Sequence, residues 1–258
     1  GVTVAAVAIM VFGGSAGAGG AFGAYVGIPA ILAALLIVLT LTFGISGVRA
    51  VLNLINSFAS PQRLNEQSVT LNSSQSSLAW VDMGLQLCSA AVLCSYGALA
   101  LFLLAKDHIF PRAYRARDWL EGAGLAALIG IPGLALYFTA VHFGWSKEVI
   151  PGDFANAWVH IPVSLFKAAA NAFAEETVVV MWFMTRLRQA RWSLPATLAA
   201  SSILRGSYHL YQGVSAGCGN IIMGLIYGYY YHRTGRVWPL VIAHFLIDAV
   251  AFVGYSFL

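Results

Sequence analysis

Charge is what this sequence lacks. Only 9% of its 258 residues are Asp, Glu, Lys or Arg, against about 25% in an ordinary soluble domain. The deficit runs the whole length, and the first 48 residues contain no charged side chain at all. With 59% hydrophobic residues, this excludes a soluble globular domain and points to a polytopic membrane protein. Cysteine is scarce too. Cys88, Cys94 and Cys218 are an odd number set in or beside apolar runs. They give neither a disulfide framework nor a zinc spacing, and read as buried inert thiols. The formal charge of +4 does not mark a nucleic-acid binder, because the basic residues occupy short loops rather than one basic domain. No signal peptide is identified in the opening "GVTVAAVAIM", and no internal repeat stands out.

What is present is a series of apolar runs. A spanning helix needs roughly 20 residues at 1.5 Å rise. On that ruler eight candidates run at about 2–22, 27–47, 82–105, 125–145, 159–185, 194–214, 217–232 and 238–258. The expected architecture is therefore all-α, a single transmembrane domain over 1–258 with about eight membrane helices. Nine basic residues (Lys106, Arg112, Arg115, Arg117, Arg186, Arg188, Arg191, Arg233 and Arg236) fall in three loops that eight spans place on one side. The other side holds only Arg49, Arg63 and Lys147. By the positive-inside rule the richer side is cytoplasmic. The polar segment at about 49–80, with "SPQRLNEQSVTLNSSQSS", then reads as an extracytoplasmic loop, partly helical and without recognisable chemistry.

Ionisable side chains in hydrocarbon cost about 2.5–3.5 kcal/mol each even on the lenient insertion scale. Those in this chain concentrate in its last hundred residues. The stretch "NAFAEETVVVMWFMTR" sets Glu175 and Glu176 side by side, with Lys167 earlier in the same run. "LRGSYHLYQG" carries Arg205 and His209, and "WPLVIAHFLIDAV" carries His244 and Asp248. Each of the latter pairs is four apart and so shares a helix face. Counted from the cytoplasmic ends, His244, Glu176, Asp248 and His209 lie at depths of about 9 to 22 Å, compatible with one cavity drawn from three helices. Such a set suits two readings. One is a buried ion network that holds helices together. The other is water activation, with a glutamate as general base and a histidine sharing that task or stabilising an oxyanion.

At these stretches the sequence resembles the CPBP family, the CAAX proteases and bacteriocin-processing enzymes also called Abi proteins. That family is marked by EExxxR, then FxxxH, then HxxxN or HxxxD on successive membrane helices. Here "EETVVV" supplies the glutamate pair, "RGSYH" the second motif and "HFLID" the third. The resemblance covers roughly residues 160 to 250. It implies a glutamate-dependent intramembrane endopeptidase with eight helices, related to the Ras-converting CAAX endopeptidase and needing no cofactor or metal. By residue, it implies that Glu175 activates water beside Glu176 and that His209 assists at the water or the carbonyl. His244 and Asp248 take the positions credited with oxyanion stabilisation and support.

Two features depart from the pattern. Val180 stands where the motif has arginine, and Arg205 where it has phenylalanine. Read together, the positive charge has moved to the neighbouring helix, where Arg205 is expected to pair with Glu176 and leave Glu175 free to titrate. Asp248 stands where many relatives have Asn, and an ionised Asp cannot donate a hydrogen bond. It is either protonated or, in the preferred reading, orients His244. The implied partners are membrane lipid and a membrane-associated, prenylated or other peptide or protein substrate. The implied place is a bacterial plasma membrane, with the cavity reached from the cytoplasmic side. Three alternatives are carried forward: a zinc protease using His209, His244 and Glu175, an ion-coupled transporter, and a catalytically inactive scaffold or immunity protein.

Overall fold

A computed structural model describes residues 21–150 and 157–253. Most of the expected span at 2–22 lies outside the described residues. Helix α1 (Ala21–Leu41) and helix α2 (Phe43–Ala59) form a pair bent by 54° at Thr42. The Thr42 hydroxyl donates back to the Val38 carbonyl at 2.7 Å, a side-chain bond that competes with the helical ladder and favours bending. Buried Phe43, Gly47, Ala50 and Ser57 recur at helical spacing along α2. The segment expected as a loop from about 49 therefore begins as the second half of a helix. Further on, β1 (Ser68–Thr70) pairs in parallel with β2 (Glu148–Ile150), in the register Ser68 with Glu148 to Thr70 with Ile150. This two-stranded sheet is the departure from an otherwise all-helical pattern among the described residues.

Helix α3 (Ala79–Ala105) has 27 residues, or about 40 Å at 1.5 Å per residue. Helix α4 (Arg117–His142) has 26. It starts earlier than hydropathy alone suggests because Asp118 caps its first turn, accepting from the Arg115 amide at 3.0 Å. Buried Asp118 also holds Arg236 by contacts of 2.6 and 2.8 Å to one guanidinium nitrogen, pinning the start of α4 to the start of α9 (Trp238–Phe252). Between them come α5 (Ala157–Glu175), a π-helical turn (Glu176–Trp182), α6 (Phe183–Gln189), α7 (Leu194–His209) and α8 (Val214–Thr234). α7 opens on Ser193, whose hydroxyl accepts from the Ala196 amide, a regular N-cap. It ends in a 3₁₀ turn at Leu210–Gln212. At Gly213 the chain turns with φ of 126°, which glycine adopts without a Cβ penalty.

Among the described residues, α3 and α4 are long and apolar enough to cross a bilayer. The bent pair α1–α2 makes a third if counted as one span, and α9 is a shorter apolar helix. The remaining expected spans coincide with helices that are shorter or less apolar; α8 has 21 residues but is rich in glycine and tyrosine. Cys88 and Cys218 are exposed, a correction to the buried thiols expected: both lie on outward faces of α3 and α8.

The axis of the fold is the rod from Ala157 to Gln189. Residues 174–184 are all buried, surrounded by α3, α7, α8 and α9. One apolar cluster joins Val178, Val179, Met181 and Trp182 to Val38, Phe43, Ala100 and Leu104. A second joins Val180 and Met184 to Met223, Tyr227, Leu240 and Ala243. The glutamates sit in this rod, between those two clusters.

Candidate active site

Consecutive residues on a helix point about 100° apart, since 3.6 residues make a turn. Glu175 and Glu176 therefore point in different directions, and beyond Arg205, which reaches both, each has its own partners. They also straddle the change from α-helix to π-helix. A π turn is uncommon and occurs often at functional sites. Here it coincides with the β-branched run Thr177–Val180, whose stiff side chains crowd a tight helix. Phe183 N–H bonds to the Val178 carbonyl, five residues back. The next carbonyl, that of Val179, accepts from Ser201 Oγ at 2.8 Å, so α7 is latched to the altered register.

Glu176 is fully buried and gripped from two sides. Its Oε1 accepts from Arg205 Nη2 at 2.7 Å and lies 2.7 Å from His244 Nδ1. Arg205 is as sealed as Glu176 at 0% exposure, and His244 follows at 3%. The guanidinium carbon of Arg205 also lies 5.5 Å from the Tyr227 ring centre, within cation–π range. The other imidazole nitrogen, Nε2, stands 3.5 Å from Asp248 Oδ2, and Asn171 Nδ2 donates to that same oxygen at 2.9 Å. Both nitrogens of His244 thus face carboxylate oxygens.

Glu175 faces the other way. Its Oε2 accepts from Tyr208 Oη at 2.7 Å, with Arg205 Nη1 at 3.6 Å and His209 Nε2 at 3.8 Å. The last distance exceeds a hydrogen bond. Glu175 keeps 3% of its surface where Glu176 keeps none, and His209, at the end of α7, is half-buried. Arg205 therefore touches both carboxylates, one with each terminal nitrogen. A lysine, as a single point charge, has no equivalent.

All six residues expected from the sequence come together, with Arg205 bridging the glutamates. His209 meets Glu175 only, while His244 and Asp248 belong to the Glu176 side. Val180, at the motif's arginine position, is fully buried against Met223, Tyr227 and Leu240. Among the described residues no group of three or more His, Cys, Asp or Glu is placed to hold a metal ion. Lys167 lies away from the centre, donating to Gln86 Oε1 at 2.5 Å and tying α5 to α3.

Tyr208, Asn171 and Ser201 are contacts that the sequence reading missed. Tyr208 is next to His209 in "RGSYH", and Asn171 lies one helical turn before Glu175, on the same face. Those neighbour relations were the available signal, but neutral side chains in an apolar run do not announce themselves. Gly47 explains how α7 comes close enough: a Cβ there would lie 2.5 Å from Ser207 Oγ, so a larger residue would push Tyr208 away.

The fold and site together define a helical, membrane-type protein with a buried carboxylate–arginine–histidine centre that is half-buried at His209 and Asn171. Residues 156–250 match the family described as type II CAAX prenyl endopeptidase, Rce1-like, which supports the CPBP/CAAX protease family indicated by the motifs. The matched segment contains every side chain of the centre. No curated protein and no solved structure matches the chain.

Proposed function

We propose that this protein is an intramembrane endopeptidase that hydrolyses peptide bonds of membrane-associated substrates with water activated by Glu175. The observation that carries this reading is the unequal treatment of two adjacent carboxylates. Glu176 is immobilised and sealed between Arg205 and His244. Glu175 holds one oxygen against Tyr208 and retains accessible surface beside half-buried His209. A general base must reach its water, and only Glu175 is so disposed.

In the proposed reaction, Glu175 takes one proton from water as the oxygen attacks the carbonyl carbon. The carbonyl π electrons move to oxygen and give a tetrahedral oxyanion. As the C–N bond breaks, the proton held by Glu175 passes to the departing amine. The second water proton leaves with the carboxylic acid product. Arg205 supplies fixed positive charge beside the developing anion, and Asp248 orients His244. The same reading has eight spans, with the three basic loops facing the cytoplasm. CAAX-type substrates are suggested by the family of residues 156–250.

The test is proteolysis by the purified protein in nanodiscs. It is offered peptide libraries with and without a prenylated C-terminal cysteine, and products are read by mass spectrometry. Cleavage lost in Glu175→Gln and unaffected by chelators is expected. Chelator-sensitive cleavage would shift the reading to a zinc protease, and a folded wild type that cleaves no peptide would favour the scaffold reading.

A further inference from the structure

Hydrolysis of a peptide bond needs a hydrogen-bond donor aimed at the carbonyl oxygen, and most donors at this centre are already committed. Arg205 Nη2 is bound to Glu176, and Tyr208 Oη to Glu175. The two nitrogens of His244 face Glu176 and Asp248. Asp248 offers only acceptors when ionised. The Trp182 indole, the Tyr227 and Ser202 hydroxyls, and Nε and Nη1 of Arg205 make no hydrogen bond, but all four residues are 0% exposed and out of a substrate's reach. Three half-buried donor residues remain beside the centre: Tyr211, which lies in the 3₁₀ turn after α7 and whose hydroxyl is engaged by Gln212, His209 and Asn171. His209 leans on the same Glu175 oxygen that Tyr208 occupies, beside the water to be activated. Asn171 is half-buried, and its amide carries two hydrogens, of which the 2.9 Å contact to Asp248 Oδ2 uses one.

The position of Asn171 fits the task. It precedes Glu175 by four residues on one helix, which puts both side chains on one face about 6 Å apart along the axis. A scissile carbonyl lying along that face presents its carbon to the Glu175 water and its oxygen to the Asn171 amide. Asp248 fixes the direction of that amide, because a carboxylate accepts from one N–H and so turns the other away from itself. From this geometry, and resting on the hydrolytic reading above, we infer that Asn171 is a catalytic residue that donates to the substrate carbonyl oxygen as it becomes an oxyanion. Asp248 then has two tasks, holding His244 on one side and aiming Asn171 on the other.

The experiment compares two ligands built on one cleaved peptide: the hydrated trifluoromethyl ketone, which carries the tetrahedral oxygens, and the reduced amide, which has no carbonyl oxygen. Binding to the full chain in nanodiscs is measured for wild type, Asn171→Ala and His209→Ala, with Asn171→Ser in reserve should the alanine variant not accumulate. Asn171→Ala is expected to weaken the hydrated ketone about 100-fold, in line with loss of one oxyanion donor. It should leave reduced-amide binding and the unfolding temperature near wild type. A merely structural role would weaken both ligands together. Equal hydrated-ketone affinity in wild type and Asn171→Ala, or a loss confined to His209→Ala, overturns the assignment while leaving the hydrolytic reading intact. A folded wild type that neither cleaves the library nor binds the ketone overturns both.

Discussion

Arg205 is fully buried and faces two buried carboxylates, and its exchange with Val180 is the sharpest test of how the centre is built. Arg205→Ala would leave Glu176 fully buried with His244 as its remaining side-chain partner. At an effective dielectric constant of about 20, charges separated by 2.7 and 3.6 Å attract by roughly 6 and 5 kcal/mol. Desolvation consumes much of that gain, so the measurable quantity is the cost of stripping one partner from a buried pair, about 3–5 kcal/mol. At roughly 2–4 °C per kcal/mol for a chain of this size, the unfolding temperature should fall by about 6–20 °C. Val180→Arg alone should also destabilise, by about 1–3 kcal/mol, because it overpacks a cluster with no void for a guanidinium. Combined with Arg205→Phe, the same substitution returns a positive charge to the rod itself. Both positions contact Tyr227, so the vacated volume adjoins the new side chain. The double variant should be more stable and more active than the sum of its singles predicts, a coupling that a double-mutant cycle isolates. Thermal unfolding and kcat/KM in nanodiscs measure it. A folded, fully active Arg205→Ala protein, or strictly additive singles, would refute the charge-relocation argument.

Glu175→Gln and Glu176→Gln should separate by readout: the first removes turnover by at least about 100-fold and destabilises less than the second, because its contact with Arg205 is the longer one. The second should lower stability by about 3–5 kcal/mol, because buried Arg205 loses the nearer of its two carboxylates. Ser201→Ala strips the Val179 carbonyl of its donor, and should cost about 1–3 kcal/mol with slower turnover, read by unfolding and by amide exchange across 176–183. Asp118→Ala leaves Arg236 buried without its carboxylate, and about 3–5 kcal/mol of destabilisation is expected with kcat/KM unchanged in the fraction that folds.

How much of this was legible beforehand depends on how local each feature is. The charge deficit and the apolar runs follow from composition, because a hydrocarbon solvent tolerates few ionised groups whatever the fold. The pairs Arg205 with His209 and His244 with Asp248 were readable as shared helix faces, since a four-residue spacing sets that geometry within one element. So was the displaced charge, once Val180 and Arg205 were set beside the motif. Helix packing, by contrast, decided which carboxylate the arginine would grip. Glu176 meets Arg205 and His244 across sequence separations of 29 and 68 residues, and such contacts depend on how three helices cross. Tertiary contact also chose Tyr208 to hold Glu175 and set Asn171 against Asp248. It paired β1 with β2 from opposite ends of a long stretch and supplied Ser201 to the carbonyl beside the π turn. The sequence alone determined that buried charge would be present, because each costly residue stands at a readable position. Only the packed structure decided how those charges are shared, because partnership between helices is set by crossing and depth rather than by spacing along any one of them.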